Sequence, residues 1–248
     1  MGLIKSLFGG KSKKSLDLSL IGVDMHSHLI PGIDDGSQSM DHTIGMLLRF
    51  VDLGYKKVIT TPHVMSDYYK NNPEIILSGL EEVRAEIKRL NIPIEIDAAA
   101  EYYYDEYFLE ILENEKLLTF GKNELLFEFS FGAKPNKIDE LIFKIKTKGY
   151  TPVLAHYERY LFFLNEGIEP ARKFRERGVR IQLNLNSLSG HYGPEIKKQA
   201  EMLVDNNLVD YVATDCHRIE HLQILKGNLD KKYFRKLAEM NFRNMDLI

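Results

Sequence analysis

Seven times along this chain a short apolar run is followed by a longer stretch with helical spacing, and that alternation limits the fold more than any other feature. The runs are 21–25, 57–61, 94–100, 125–128, 152–155, 179–185 and 209–214. After them the spacing predicts helices over 39–53, 73–90, 105–114, 138–148, 170–177, 194–206 and 229–240. In the first helix Ile44, Leu47, Leu48 and Val51 recur at i, i+3, i+4 and i+7, and Gly54 stops it. Alternating strands and helices make a parallel sheet, and connections this short favour a closed or nearly closed barrel. A chain of 248 residues is long enough for one such domain. No break interrupts the pattern after residue 20, so we expect one domain over 21–248 and an N-terminal extension over 1–20.

Parallel barrels carry their chemistry at the C-terminal ends of their strands. Here those ends hold His26, His28, His63, Glu101, Glu128, His156, Asp215 and His217. The chain has eight histidines, and five of them fall on these ends. His26 and His28 lie two apart, hence on one face of a strand, and Asp215 and His217 repeat that spacing. Three or more imidazoles with three or more carboxylates at one mouth point to a site for several metal ions. Imidazoles fix the ions, and carboxylates offset the charge and bridge them. This mixture suits manganese, iron or zinc. Several positions keep two readings. Glu128, between Phe127 and Phe129, points either into the site or at solvent. Asp24 either orients a ligand histidine or caps its strand. The aromatic run Tyr102–Phe108 is either helix-face packing or a rim that receives an aryl group. His42, His191 and His221 read as surface histidines.

Composition narrows the rest. A net charge of −3 disfavours a nucleic-acid partner. The single cysteine, Cys216, gives no disulfide framework and implies a reducing cytoplasm. It reads as a small core residue. It does not suit a phosphatase nucleophile, because position 222 is Leu where an arginine would be needed. No apolar run reaches the roughly 20 residues of a membrane span. In the extension, Leu3, Ile4, Leu7 and Phe8 have helical spacing, and Lys11, Lys13 and Lys14 follow. The first residues match the N-myristoylation pattern, but a basic tail in peripheral contact with a partner or membrane surface is the plainer expectation. Arg159 and Arg218 follow strand ends and are candidates for gripping a phosphate, each with a surface salt bridge as the alternative.

In order, the motifs are His26-x-His28, Thr61-Pro62-His63, Ala100-Glu101, Glu128-Phe129-Ser130, Ala155-His156-x-Glu158-Arg159-Tyr160 and Thr214-Asp215-x-His217. Together they resemble the polymerase-and-histidinol-phosphatase (PHP) superfamily. The stretch Asp24–Gly36 and the Glu158-Arg159-Tyr160 triplet resemble, within it, the bacterial metal-dependent protein-tyrosine phosphatases of capsule and exopolysaccharide operons, the CpsB/YwqE type. The resemblance implies a distorted (β/α)7 TIM-like barrel with two or three divalent ions, manganese foremost and iron or zinc as alternatives. It implies one ion on His26, His28, Glu101 and Asp215. A second falls on Glu101, Glu128 and His156, and a third on Asp35, His63 and His217. Asp35 rather than Asp34 is the matching member of the acid pair. Arg159 would bind phosphate, with Arg218 a looser match. The implied substrate is phosphotyrosine in the tail of a tyrosine kinase that controls polysaccharide export. Tyr157 departs from the pattern, where relatives have proline. The alternatives are a phosphatase of a small ester such as histidinol phosphate, and a metal-binding module without catalysis.

Overall fold

The computed structural model describes residues 16–164 and 166–248. Its sheet has nine short strands: β1 (Val23–Asp24), β2 (Lys57–Thr60), β3 (His63–Val64), β4 (Glu95–Ala98), β5 (Glu101–Tyr103), β6 (Glu124–Glu128), β7 (Thr151–Leu154), β8 (Arg180–Asn184) and β9 (Tyr211–Ala213). Every pairing between them is parallel. They form seven staves, because β2 runs on into β3 and β4 into β5. The ladder continues across those breaks: Ala99 N–H donates to Thr60 O at 2.9 Å, and Glu101 N–H to Pro62 O at 3.0 Å. The chain beyond β1 closes the ring against the chain beyond β9. A parallel bridge joins Ser27 to Cys216, and Asp215 N–H donates to His26 O at 2.9 Å. The result is the expected curled (β/α)7 barrel.

Strand periodicity sorts the core into two layers. Val23, Ile59, Leu126, Val153, Tyr211 and Ala213 form a small cluster inside the barrel. Their neighbours Val58, Leu125, Phe127, Leu154 and Val212 join the larger cluster under the helices. The parity decides one open reading. Glu128 is two residues beyond Leu126, so it faces the lumen, and it is buried. Along β8 the same parity sends Gln182 and Asn184 inward.

The helices cover the outside: α1 (Met40–Asp52), α2 (Pro73–Leu90), α3 (Glu106–Asn114), α4 (Ile138–Thr147), α5 (Glu169–Glu176), α6 (Leu185–Ser189), α7 (Pro194–Asp205), α8 (Ile219–Lys226) and α9 (Lys232–Leu237). Local sequence accounts for α2 well. Asn72 caps it by accepting from Ile75 N–H, Pro73 opens it, and Ile76, Leu80, Val83 and Ile87 are its buried stripe. The far end of the barrel is closed by Asn244. Its Nδ2 donates to Val23 O at 2.9 Å and Val212 O at 2.7 Å, and its Oδ1 accepts from Val212 N–H at 3.1 Å.

Three expectations need correction. The closing helix is α9 alone, shorter than 229–240, and it is preceded by α8, which was not anticipated. Helix α6, following directly on β8, was not anticipated either. Residues 16–20 do not stand off as an extension: Leu16 and Leu18 are buried in the main core, and Leu16 N–H donates to Leu229 O at 2.9 Å. The tail reading for residues 1–15 lies outside the described residues. Among the described residues, no helix is long and apolar enough to cross a membrane.

Candidate metal centre

The mouth of the barrel gathers all nine residues expected as ligands. His26 and His28 leave the chain just past β1. His63 and Glu101 open β3 and β5 after the breaks in staves two and three, and Glu128 ends β6. His156 and Asp215 follow β7 and β9 with φ of 28° and 49°, positive values uncommon for residues other than glycine. The backbone is held there by its neighbours. Gln182 Oε1 accepts from His156 N–H at 2.7 Å.

The tightest group is His26, His28, Glu101 and Asp215. His26 Nε2 lies 3.2 Å from Glu101 Oε2 and 3.4 Å from Asp215 Oδ1. His28 Nε2 lies 3.5 Å and 3.6 Å from the same two oxygens, and the two Nε2 atoms are 3.3 Å apart. The remote ring nitrogens are engaged. His26 Nδ1 meets Gln182 Oε1 at 3.1 Å, and His28 Nδ1 meets Asp34 Oδ2 at 2.7 Å. Each remote nitrogen must therefore carry the proton, which leaves a lone pair on each Nε2 of the neutral rings. Two lone pairs and two carboxylate oxygens then face a common point. Four converging acceptors with no protein donor between them favour a cation: a metal ion, or extra protons on the rings.

The second expected group has His156 Nε2 at 3.0 Å from Glu101 Oε1 and 3.6 Å from Glu128 Oε2. Glu101 thus offers one oxygen to each group, the position of a bridge. In the third, Asp35 Oδ1 lies 3.5 Å from His63 Nε2 and 3.2 Å from His217 Nε2. His63 also belongs to the second group, because its Nδ1 is 3.1 Å from both Glu101 Oε2 and Glu128 Oε1. That nitrogen is buried and aligned with neither oxygen for a hydrogen bond. Four sets of three or four donors have their ligand atoms within 4.8 Å of one another. The residues fit a cluster of divalent ions.

The electrostatics agree. Burial pulls the His63 imidazole down, but Glu101 and Glu128 outweigh it and lift it to about 9. Burial acts likewise on His28, where Asp34 overrides it and holds the ring well above its ordinary value. Burial would raise Glu101, yet His26 and His63 hold it well below the carboxylate range. Burial would also raise Asp215, and His26 leads the groups that depress it.

Other side chains support this set. Asp34 turns out to be the orienting residue, with Oδ2 on His28 and Oδ1 accepting from Gly36 N–H at 2.9 Å. Asp24 is not one. It accepts from Thr214 N–H at 2.7 Å and Thr214 Oγ1 at 3.0 Å, tying β1 to the exit of β9, and burial raises it to about 7. His221 is no surface histidine: it is buried behind His217, and burial lowers it to about 4. Arg159 lines the cleft, with Nη1 2.7 Å from Asp215 Oδ2. Arg218 is exposed at the N-cap of α8 and does not line it. The cleft measures about 380 Å³, and its walls beside the donors are Tyr68, Tyr69, Tyr103, Phe129 and Phe131. Of the aromatic run 102–108, Tyr103 alone lines it, while Tyr102 and Phe108 are core. Gln182, Asn184, Tyr69, Phe131 and Tyr192 were not anticipated as site residues. A glutamine between Ile181 and Leu183 in a buried strand was the one local signal among them.

A parallel (β/α)7 barrel whose mouth gathers imidazoles and carboxylates defines a PHP-type barrel. The chain belongs to the capsular polysaccharide synthesis CpsB/CapC family, whose pattern matches residues 22–244. Tyrosine-protein phosphatase YwqE of Bacillus subtilis is 28% identical over 231 residues, covering 91% of each chain. Tyrosine-protein phosphatase CpsB of Streptococcus pneumoniae is 28% identical over 230 residues, 89% of this chain and 94% of that one. A chain from the crystal structures of YwqE and CpsB, described as metal-dependent tyrosine phosphatases, superposes with a TM-score of 0.75. It is 27% identical and the match covers 90% of this chain and 94% of that chain.

Proposed function

We propose that this chain is a metal-dependent protein-tyrosine phosphatase acting in the cytoplasm on the tyrosine-phosphorylated tail of a kinase that controls capsule or exopolysaccharide export. The observation that carries the reading is the convergence of His26 Nε2, His28 Nε2, Glu101 Oε2 and Asp215 Oδ1 within 3.2–3.6 Å of one another across the two pairs of donors, beside an arginine and an aromatic-walled cleft. His26, His28, Asp35, His63, Glu101, Glu128, His156, Asp215 and His217 would hold two or three ions, manganese foremost and iron or zinc as alternatives. Bound divalent ions supply the acidification of water and the charge neutralisation that hydrolysis of a phosphate ester needs.

The chain's own groups do the rest. Arg159 offers N–H donors to the phosphoryl oxygens and offsets charge that grows on them. Arg218, further out, adds positive potential near the rim. The aromatic walls take the substrate's phenyl ring, and the open cleft, with Tyr68 75% exposed, admits a ring carried on a peptide. Phenolate leaves readily, having a pKa of about 10, so no strong proton donor is required at the leaving oxygen.

The test is phosphate release by metal-replete protein from a tyrosine-phosphorylated peptide and from histidinol phosphate in parallel, with and without chelator. Fast, chelator-sensitive release from the peptide alone is expected. The reverse preference would move the function to small-molecule metabolism. Release from neither, with metal bound, would leave a binding module.

A further inference from the structure

Arg159 is held in an unusual way for a residue on an open cleft. Its Cζ lies 4.4 Å from the ring centroid of Phe131 and 4.3 Å from that of Tyr192. The two rings make no aromatic pair with each other among the described residues, so they address the guanidinium from different sides. They come from separate loops: Phe131 follows β6, and Tyr192 lies between α6 and α7.

Each ring is itself fixed. Tyr192 Oη accepts from Asn184 Nδ2 at 3.2 Å, and the same amide nitrogen donates to Asp215 Oδ2 at 3.0 Å. Arg159 Nη1 donates to that carboxylate oxygen at 2.7 Å. Arg159, Asp215, Asn184 and Tyr192 thus form a closed circuit. Phe131 packs 5.3 Å from the His156 ring and 5.9 Å from the Tyr160 ring. Its carbonyl accepts from Leu161 N–H at 3.0 Å, which ties its loop to the segment just after Arg159.

We propose that Phe131 and Tyr192 are positioning residues that hold Arg159 by its guanidinium faces, so that one N–H edge stays on Asp215 and the remaining donors are presented to the substrate's phosphoryl group. The proposal rests on the phosphate-binding role given to Arg159 above. An arginine side chain has many rotamers, and freezing them as a ligand binds weakens the binding. A guanidinium fixed in advance avoids that loss, and its planar shape lets two aromatic faces hold it without occupying its donors.

The test compares Phe131→Leu and Tyr192→Leu, which keep apolar bulk without a ring face, with Tyr192→Phe, which keeps the ring. Two measurements are made. One is inorganic phosphate binding to zinc-loaded protein by calorimetry, and the other is the Arg159 Nε–H signal in NMR spectra of metal-free protein. A guanidinium between two rings gives a ring-current-shifted signal in the wild type. Each leucine variant should reduce that shift and weaken phosphate binding by about 3- to 30-fold. Tyr192→Phe should keep the shift. In an Arg159→Ala background neither leucine substitution should weaken phosphate binding further.

An unchanged shift and unchanged phosphate affinity in the leucine variants would overturn the clamp. So would equal losses with and without Arg159. Failure of the wild type to hydrolyse a phosphotyrosyl peptide would instead remove the functional reading, and the Nε–H signal would still report whether the rings hold the arginine.

Discussion

Replacing Asp34 with asparagine tests the distinction between the two neighbouring acids most directly. Asp34 is buried and uses both carboxylate oxygens. Oδ2 accepts from His28 Nδ1 at 2.7 Å and from His63 N–H at 3.2 Å, and Oδ1 accepts from Gly36 N–H at 2.9 Å. An asparagine supplies only one acceptor oxygen. Whichever way the amide turns, its NH2 group faces a donor, and at least one N–H loses its partner, at a cost of about 1–3 kcal/mol each. There is also a lost charge. Burial would raise the Asp34 carboxyl, but His28 outweighs burial and holds it at about 2, against 3.8 for a free side chain. That depression corresponds to roughly 2 kcal/mol of preference for the ionised form. Because the folded value is the lower one, the contribution is present above pH 3.8 and is lost as pH falls through about 2. Metal-free Asp34→Asn should therefore melt about 4–8 °C lower at pH 7 for the charge alone. Its metal affinity should fall about 10- to 100-fold, since the His28 ring loses its orienting partner. Chelator competition with metal analysis, alongside thermal melts, measures both. Asp35→Asn is the control: the side chain is 54% exposed, so it should lower the number of bound ions with little change in metal-free melting. If Asp34→Asn keeps wild-type metal affinity and melting temperature, the orienting role is refuted.

Three further outcomes follow from the same geometry. His63 sits at about 9 and His28 well above its ordinary value without metal, so loading metal at pH 7 must expel protons. Calorimetry in buffers of different ionisation enthalpy should show that release, with affinity rising as pH rises, and buffer-independent heats would contradict it. Gly36→Ala should abolish metal binding, because a Cβ there would run into the His28 Cβ and carbonyl; a variant that binds metal normally would show that the loop has room. Leu18→Ala should destabilise the fold by about 2–5 kcal/mol, since Leu18 is buried in the core, and a denaturant midpoint equal to the wild type would return residues 16–20 to the status of an extension.

What sequence reasoning reached, and what it did not, divides along the range of the interactions. Helix α2 was legible to the residue because its cap, its proline and its stripe are all local. His26 and His28 were legible as a pair because alternate residues of an extended segment share a face, and the bridge at Ser27 keeps the chain extended just past β1. Helix α8 was not legible: it begins directly behind a site motif, and its eight residues carry too short a stripe for the period to stand out. Asp34 and Asp35 are adjacent and identical in type, so no local pattern distinguishes the buried carboxylate on His28 from the half-exposed one facing His63 and His217, and only the family resemblance favoured Asp35 as the candidate ligand. Tyr192 reaches Arg159 from 33 positions away in the chain through a loop whose course depends on the packing of α6 and α7.

The donors share a placement at the ends and breaks of the strands. Neighbouring strands lie about 4.8 Å apart, and the curl of the sheet lets inward side chains on adjacent staves meet, as His63 Nδ1 and Glu101 Oε2 do at 3.1 Å. Of these donors, His156 and Asp215 adopt positive φ, which costs roughly 1–3 kcal/mol each. The surrounding structure must hold such residues in place, and Gln182 is the side chain best placed to do so. Its Oε1 accepts from His156 N–H at 2.7 Å and meets His26 Nδ1 at 3.1 Å, linking a strained candidate donor on one stave to one of the tightest group on another. Gln182→Met preserves bulk and removes that acceptor. It leaves His156 N–H buried without a partner, at about 1–3 kcal/mol, and frees His26 to place its proton on Nε2, where a metal would need the lone pair. Metal affinity and metal-free melting temperature should both fall, while the apolar layers, touched only by a side chain of similar size, keep the barrel folded. A Gln182→Met protein that melts lower but binds metal as tightly as the wild type would mean that His26 is oriented by something other than this amide.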